Sequence, residues 1–239
     1  MQWKRDMINK RRLRVTGGIL VVWLLALGGY LAWTGDATSL FSPVGEASAS
    51  RESNVELRVV PGFSGVKVTG PVSVDYQVGP EVSVRIVAPD DEAGLVSTTV
   101  DDKTLVVGVK SGFIEGKEPV RVEISGPSPE LIDVAGSASL SAEAIKGNTL
   151  AVKSAGAGHV RLAGEVGSVA LSASGSGRID TSALRAREAS VSSAGSCVIK
   201  TFAGESVSVA MAGDGKVTVL GKPAKRSVQS VGVARVNFE

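Results

Sequence analysis

Gly136, Gly156, Gly175, Gly195, Gly213 and Gly232 stand 20, 19, 20, 18 and 19 residues apart in the second half of the chain. Four residues after each comes an apolar side chain: Leu140, Val160, Ile179, Ile199, Val217, Val236. Four residues before each comes another: Ile132, Val152, Leu171, Val191, Val209, Val228. A unit of this length cannot bury a hydrophobic face alone, so neighbouring units must stack.

Both offsets share the parity of the glycine, so on an extended chain these residues face one side. Two residues after the glycine, on that same side, the chain is small throughout: Ala138, Gly158, Gly177, Cys197, Gly215, Ala234. The opposite parity is polar, as in Ser172, Ser174, Ser176 and Arg178. The inner row reads large, small, small, large. This predicts an all-β solenoid with one coil per 18–20 residues. The composition agrees: 29 glycines and only 4% aromatic residues suit a narrow core filled by small and β-branched side chains.

Upstream of the repeat, alternation continues without an obvious period. VELRVV (55–60), VKVT (66–69), VSVDYQV (72–78), VSVRIVA (82–88), TLVVGVK (104–110) and PVRVEIS (119–125) read as strands. Gly, Pro and Asp clusters at 61, 70, 79, 89 and 101 separate them. No amphipathic helix is expected after residue 54.

The first 54 residues read differently. Residues 15–33 carry no charge and are long enough for a transmembrane helix. Tyr30 and Trp33 stand near one end, where amphipathic rings favour the interface. Residues 1–14 hold six bases against one acid. That basic cluster predicts a cytoplasmic tail and a C-terminal domain on the periplasmic or extracellular side of the inner membrane. The competing reading is a cleaved signal peptide; the length of the run and the lack of a small-x-small site beside it favour an anchor. Residues 34–54 read as a linker and 55–239 as the solenoid domain, with repeats from about 131. Without the first 14 residues the net charge falls from +2 to −3. The basic pI therefore belongs to the tail, and the argument for a nucleic-acid partner disappears. Cys197 is the one cysteine, so no intrachain disulfide forms.

The repeat carries a recognisable motif, clearest in SASGSGRI (172–179). Degenerate copies are VAGSASL (134–140), SAGAGHV (154–160), SSAGSCVI (192–199), MAGDGKV (211–217) and SVGVARV (230–236). With GFSGVKVTGPVSVDYQVGPEVSVRIVAPDD (62–91) and DDKTLVVGV (101–109), the chain from Val55 onward resembles the head GIN domain family of autotransporter adhesin heads. The resemblance implies a right-handed β-helix outside the cytoplasm. It supplies no catalytic residues.

Enzymatic β-helices work through gathered carboxylates. Here Asp133, Asp180 and Asp214 fall at different offsets, and Glu165 and Glu205 occupy similar turns two repeats apart. His159 falls on an outward row as the one histidine, and Cys197 falls on the inward row, so no zinc site or other cofactor is expected. Ser176 lacks a nucleophile-elbow context. One outward feature stands out. Three residues after the glycines the chain reads Ser139, His159, Arg178, Val198, Lys216, Arg235, and five after it reads Ser141, Arg161, Asp180, Lys200, Thr218, Asn237. Stacked, these rows make a basic ribbon of Arg161, Arg178, Lys200, Lys216 and Arg235 with one acid, fit for an anionic envelope polymer or lipid head group. The competing reading is charge that keeps a β surface soluble. Outward serines (Ser172, Ser174, Ser176, Ser192, Ser196) form a second candidate face. Self-association through the solenoid ends is also expected. The function expected is a non-enzymatic adhesion, binding or scaffold module of the envelope; the alternative is a polysaccharide-acting β-helical enzyme.

Overall fold

The computed structural model describes residues 53–89, 93–110 and 120–239. The expected tail (1–14), membrane helix (15–33) and nearly all of the linker (34–54) lie outside them. Among the described residues the only helical element is a 3-10 turn at Ala93–Leu95, and no helix is long and apolar enough to cross a membrane.

Everything else regular is strand. In chain order these are β1 (Ser53–Arg58), β2 (Gly65–Thr69), β3 (Val72–Val78), β4 (Ser83–Pro89), β5 (Val96–Asp101), β6 (Thr104–Val109), β7 (Val120–Gly126), β8 (Leu131–Gly136), β9 (Ser139–Gly156), β10 (His159–Gly175), β11 (Arg178–Gly195), β12 (Val198–Phe202), β13 (Ser206–Ala212), β14 (Lys216–Leu220), β15 (Lys225–Val231) and β16 (Arg235–Phe238). All sixteen join one hydrogen-bonded system. The expected β-solenoid is present: β9, β10 and β11 each run round most of a coil and pair parallel with the next. On one side β11 is followed by β12, β14 and β16; on the other it is followed by β13 and β15.

Burial along β11 shows how a coil closes. Ile179 and Thr181 point inward, then Leu184 and Ala186, then Ala189, Val191 and Ser193. The alternation slips after Thr181 and again after Ala186, and each slip carries the inward face round a corner. The glycine makes the third corner. Register places like on like: Val160 beside Ile179, Ile179 beside Ile199, Leu171 beside Val191, Val191 beside Val209. All of these are at most 2% exposed. Each such aliphatic side chain contributes about 1.5–3 kcal/mol by leaving water.

The glycine corner has a specific cause. Gly136, Gly156, Gly175, Gly195, Gly213 and Gly232 all have φ between +84° and +112°. Each is also stacked on the one before. A Cβ on Gly156, Gly213 or Gly232 would lie 2.7 Å from the carbonyl oxygen of the preceding glycine, and one on Gly175 would lie 2.6 Å away. That oxygen is turned along the stack because it accepts a hydrogen bond. The N–H after each glycine donates to it: Ala157 to Gly136, Ser176 to Gly156, Ser196 to Gly175, Asp214 to Gly195, at 2.8–3.1 Å. The corner thus keeps its backbone groups satisfied only if no side chain stands in the way. This is why the glycines repeat.

The stack begins earlier in the chain than the repeat. β2 pairs with β8, Val66 beside Ile132, and β3 pairs with β9, Val74 beside Leu140. Between them Gly70, at φ +91°, lies under Gly136 in the glycine column. The region from Val55 to Ser125, read from sequence as outside the repeat, therefore supplies a further layer on two of the coil's three sides. Its period is hidden because the chain makes an excursion between Gly70 and Gly136. During that excursion β6 and β7 lie parallel to β2 and β3 on the outer side. Antiparallel β5 then covers β6, and β4 with β1 covers β7. Strict alternation missed β5, whose VSTTVD has polar residues on both faces. The β5–β6 hairpin turns on Asp102 and Lys103, both at positive φ as a type I′ turn requires. Tyr76 anchors the returning chain: its hydroxyl donates to the Pro127 carbonyl, and its ring meets Phe63 edge-on at 6.4 Å. Burial pushes its phenol up to about 12.

Candidate functional site

The corner explains the S-G-S-G motif without a ligand. The glycine is a packing requirement, and where a second glycine stands two positions on it too lies close to the layer before, with a Cβ on Gly177 2.7 Å from the Gly158 oxygen. Ser174 and Ser176 flank the corner and are exposed. Ser172, Ser192 and Ser196 are exposed as well. Cys197 is buried, as expected for an inward residue, with its thiol 3.3 Å from the Gly175 carbonyl oxygen. His159 is exposed.

The structure brings the basic ribbon together as a register-locked surface. Ser139, His159, Arg178, Val198, Lys216 and Arg235 pair in succession across β9, β10, β11, β12, β14 and β16. Ser141, Arg161, Asp180, Lys200, Thr218 and Asn237 do the same two residues on. The alternating inward residues, among them Val160, Ile179, Ile199 and Val217, hold these strands on the core, so the outward side chains project from a rigid sheet. Arg161, Arg178, Lys200, Lys216 and Arg235 are all exposed. Each stands on a different, consecutive strand. The ribbon is therefore a ladder with one cation per rung, staggered between two columns.

The charges around it are arranged differently. In the earlier layers outward charges are paired across strands: Lys67 with Asp133 at 3.8 Å, Arg85 with Glu123 at 3.5 Å, Arg121 with Asp75 at 3.6 Å. Among the described residues, none of the five ladder cations has a carboxylate within 4.0 Å. Asp180, the acid in the ladder, is occupied elsewhere. It accepts hydrogen bonds from the Ser182 hydroxyl at 2.5 Å and from the Ser182 N–H at 3.1 Å. Partial burial pushes its carboxyl up, but those two bonds and the charges of Lys200 and Arg161 outweigh this and hold it below its ordinary range. Thr181 fixes the next rung, donating to the Lys200 carbonyl at 3.0 Å.

A shallow groove of about 440 Å³ runs over this face and is lined by Asp75, Ser141, His159, Arg161, Arg178 and Lys200, among others. A second groove, about 600 Å³, lies on the sheet that precedes the glycine corner. It is lined by small Ser, Thr and Ala side chains with Leu150, Val169 and Val207 among them, and by the charged Glu130, Glu188, Lys225 and Arg226. It holds both signs of charge and no concentration of either. Among the described residues no three His, Cys, Asp or Glu side chains gather for a metal ion. The lowered pKa of Asp180 is opposite to what a general acid at neutral pH needs.

The ladder was legible from offsets alone, because columns at fixed distances from a stacked glycine must themselves stack. The pairing of Arg121 with Asp75 was not legible, since it depends on β7 returning beside β3.

Solved structures share this architecture. A crystal structure of a putative adhesin from Bacteroides fragilis NCTC 9343 matches with a TM-score of 0.65 at 22% identity, covering 80% of this chain and 98% of its own. Another of a putative adhesin from Parabacteroides merdae ATCC 43184 matches with a TM-score of 0.53 at 15% identity, covering 80% of this chain and 97% of its own. At such identities the likeness concerns the fold. No curated protein matches the chain. The family model described as "Putative auto-transporter adhesin, head GIN domain" matches residues 62–223, which include the hidden layer at Gly70 and the column from Gly136 to Gly213. The chain belongs to the head GIN domain family.

Proposed function

We propose that this protein is a non-enzymatic adhesion or binding module displayed outside the cytoplasm, and that its basic ladder is the surface that engages an anionic envelope partner. The observation that carries this reading is the run of five consecutive rungs with one cation each, none of them within 4.0 Å of a carboxylate among the described residues. Charge placed only for solubility is interspersed in sign, as in the first layers of this same sheet. Family membership and the adhesin folds support the adhesive class at a coarse level. Residues 15–33 serve in this reading as a single-pass anchor in the inner membrane, by the hydrophobic length and basic flank of the sequence. Self-association through the solenoid's C-terminal edge multiplies the ladder in the assembled state.

The test is binding of the full chain, in detergent, to a polyanion resin. Replacing Arg178, Lys216 and Arg235 with Ser weakens retention. Replacing Lys146, Lys153 and Lys222, exposed lysines off the ladder, removes the same charge and leaves retention largely intact. Equal loss in both variants would assign binding to net charge and reject the ladder. Among the described residues no arrangement of carboxylates favours the polysaccharide-cleaving alternative.

A further inference from the structure

We infer that the ladder takes an extended acidic polysaccharide lying along the solenoid axis, with about one carboxylate per strand spacing, rather than a lipid head group. This rests on the ladder being the binding surface, and adds the geometry of the occupant.

The period of the cations is set by the fold. Neighbouring strands lie roughly 4.8 Å apart. Arg161, Arg178, Lys200, Lys216 and Arg235 stand on five successive strands, so their backbone positions advance by one strand spacing each, spanning roughly 19 Å. Parallel register and the stacked glycines forbid slippage, because shifting one rung would push a Cβ or carbonyl of the corner into its neighbour. The result is a staggered, two-column ladder of cations whose strands advance by a fixed repeat. A chain of acidic sugars presents single charges at regular intervals along a line; the three arginine rungs can each donate two parallel hydrogen bonds to a carboxylate, and the two lysines pair with it as point charges.

Three features disfavour a membrane surface. The cations form a line and not a patch. The line is narrow, two columns wide. Acids border it: Asp180 lies within it, and Asp75 lines the same groove. A bilayer approaching this face would meet those acids together with the cations. A single chain threading past Asp180 can keep its carboxylates on Arg161 and Lys200, the rungs to either side, because the Asp180 carboxylate turns to Ser182 and lies more than 4.0 Å from both cations.

Two consequences distinguish this from simple anion binding. Affinity depends on ligand length, because each added sugar engages one more rung until the ladder is filled. The rungs also contribute comparably, since no one of them is a buried pocket; each exposed contact changes affinity by roughly two- to fivefold.

The experiment titrates the full chain in detergent with a homologous series of oligogalacturonates, from the monomer past the pentamer, by calorimetry. Parallel arms use phosphatidylglycerol vesicles and inorganic phosphate. Single variants Arg161→Ser, Arg178→Ser, Lys200→Ser, Lys216→Ser and Arg235→Ser are each measured with the pentamer. The expected result is affinity rising with length up to about the pentamer and then levelling, with every single variant weaker by a similar factor. Vesicles or phosphate binding as tightly as the pentamer, with no dependence on sugar length, would overturn the linear-chain inference and leave an anion-binding ladder standing. Length-dependent binding that ignores all five substitutions would overturn both, as would no binding in any arm.

Discussion

Gly175 stacks on Gly156 so closely that a Cβ on the former would stand 2.6 Å from the carbonyl oxygen of the latter. The same oxygen accepts the Ser176 N–H at 2.9 Å. Steric and hydrogen-bonding demands therefore meet at one atom. Gly175→Ala has to strain φ away from +102° or break that bond. We expect a loss of at least about 2 kcal/mol in urea unfolding. Ser174→Ala, one residue earlier on the exposed side, changes stability by less than about 0.5 kcal/mol. Similar losses for both variants would mean that the corner tolerates a side chain.

The glycine requirement also explains what the sequence made readable. Wherever consecutive coils are adjacent in the chain, the requirement recurs at coil length, and the columns, the inward row and the basic ladder can be read from it. Gly70 stands in the same column with the same positive φ but was invisible, because β4 to β7 are inserted between its coil and the next. No local signal says that Val74 lies beside Leu140. The paired charges Arg121 and Asp75 were hidden for the same reason. The buried hydroxyls of the inward row were unreadable on another ground: whether a threonine finds a partner depends on carbonyl directions in the next coil.

Thr181 and Thr201 illustrate this. They are stacked neighbours, both fully buried. Thr181 donates to the Lys200 carbonyl at 3.0 Å, whereas the Thr201 hydroxyl has no partner among the described residues. Removing a made hydrogen bond costs about 1 kcal/mol; removing an unmade one recovers a desolvation penalty. Thr181→Val should lower the unfolding midpoint, and Thr201→Val should leave it unchanged or raise it. The opposite order of midpoints would contradict the assigned hydrogen bonding.

Asp180 links the ladder to pH. Its carboxyl is held below the ordinary 3.8. A depressed folded-state pKa stabilises the fold above the unfolded value, and that contribution is lost as pH falls through the folded one. The melting-temperature difference between the native chain and Asp180→Asn should thus be constant near neutrality and shrink below about pH 4. At neutral pH the same variant removes the acid from the ladder, so pentagalacturonate should bind roughly two- to fivefold more tightly. Weaker binding would mean that Asp180 assists the ligand.

The C-terminal layer carries the last prediction. Val228 occupies the row in which Val191 and Val209 are each 1% exposed, yet it is 44% exposed itself. Val231 and Val233 are 74% and 68% exposed. β15 pairs with β13 on one edge, and among the described residues its other edge has no partner. An open strand edge with apolar side chains is a template for a second copy. Antiparallel pairing of two β15 strands suits this edge, because it sets Lys225 and Arg226 of each copy at the valine end of the other and keeps like charges apart. Sedimentation equilibrium of the full chain in detergent should therefore show dimers that Val228→Lys with Val231→Lys dissociates, while circular dichroism stays that of a folded β protein. A native chain that remains monomeric at high concentration would reject the pairing, and so would dimers indifferent to both lysines.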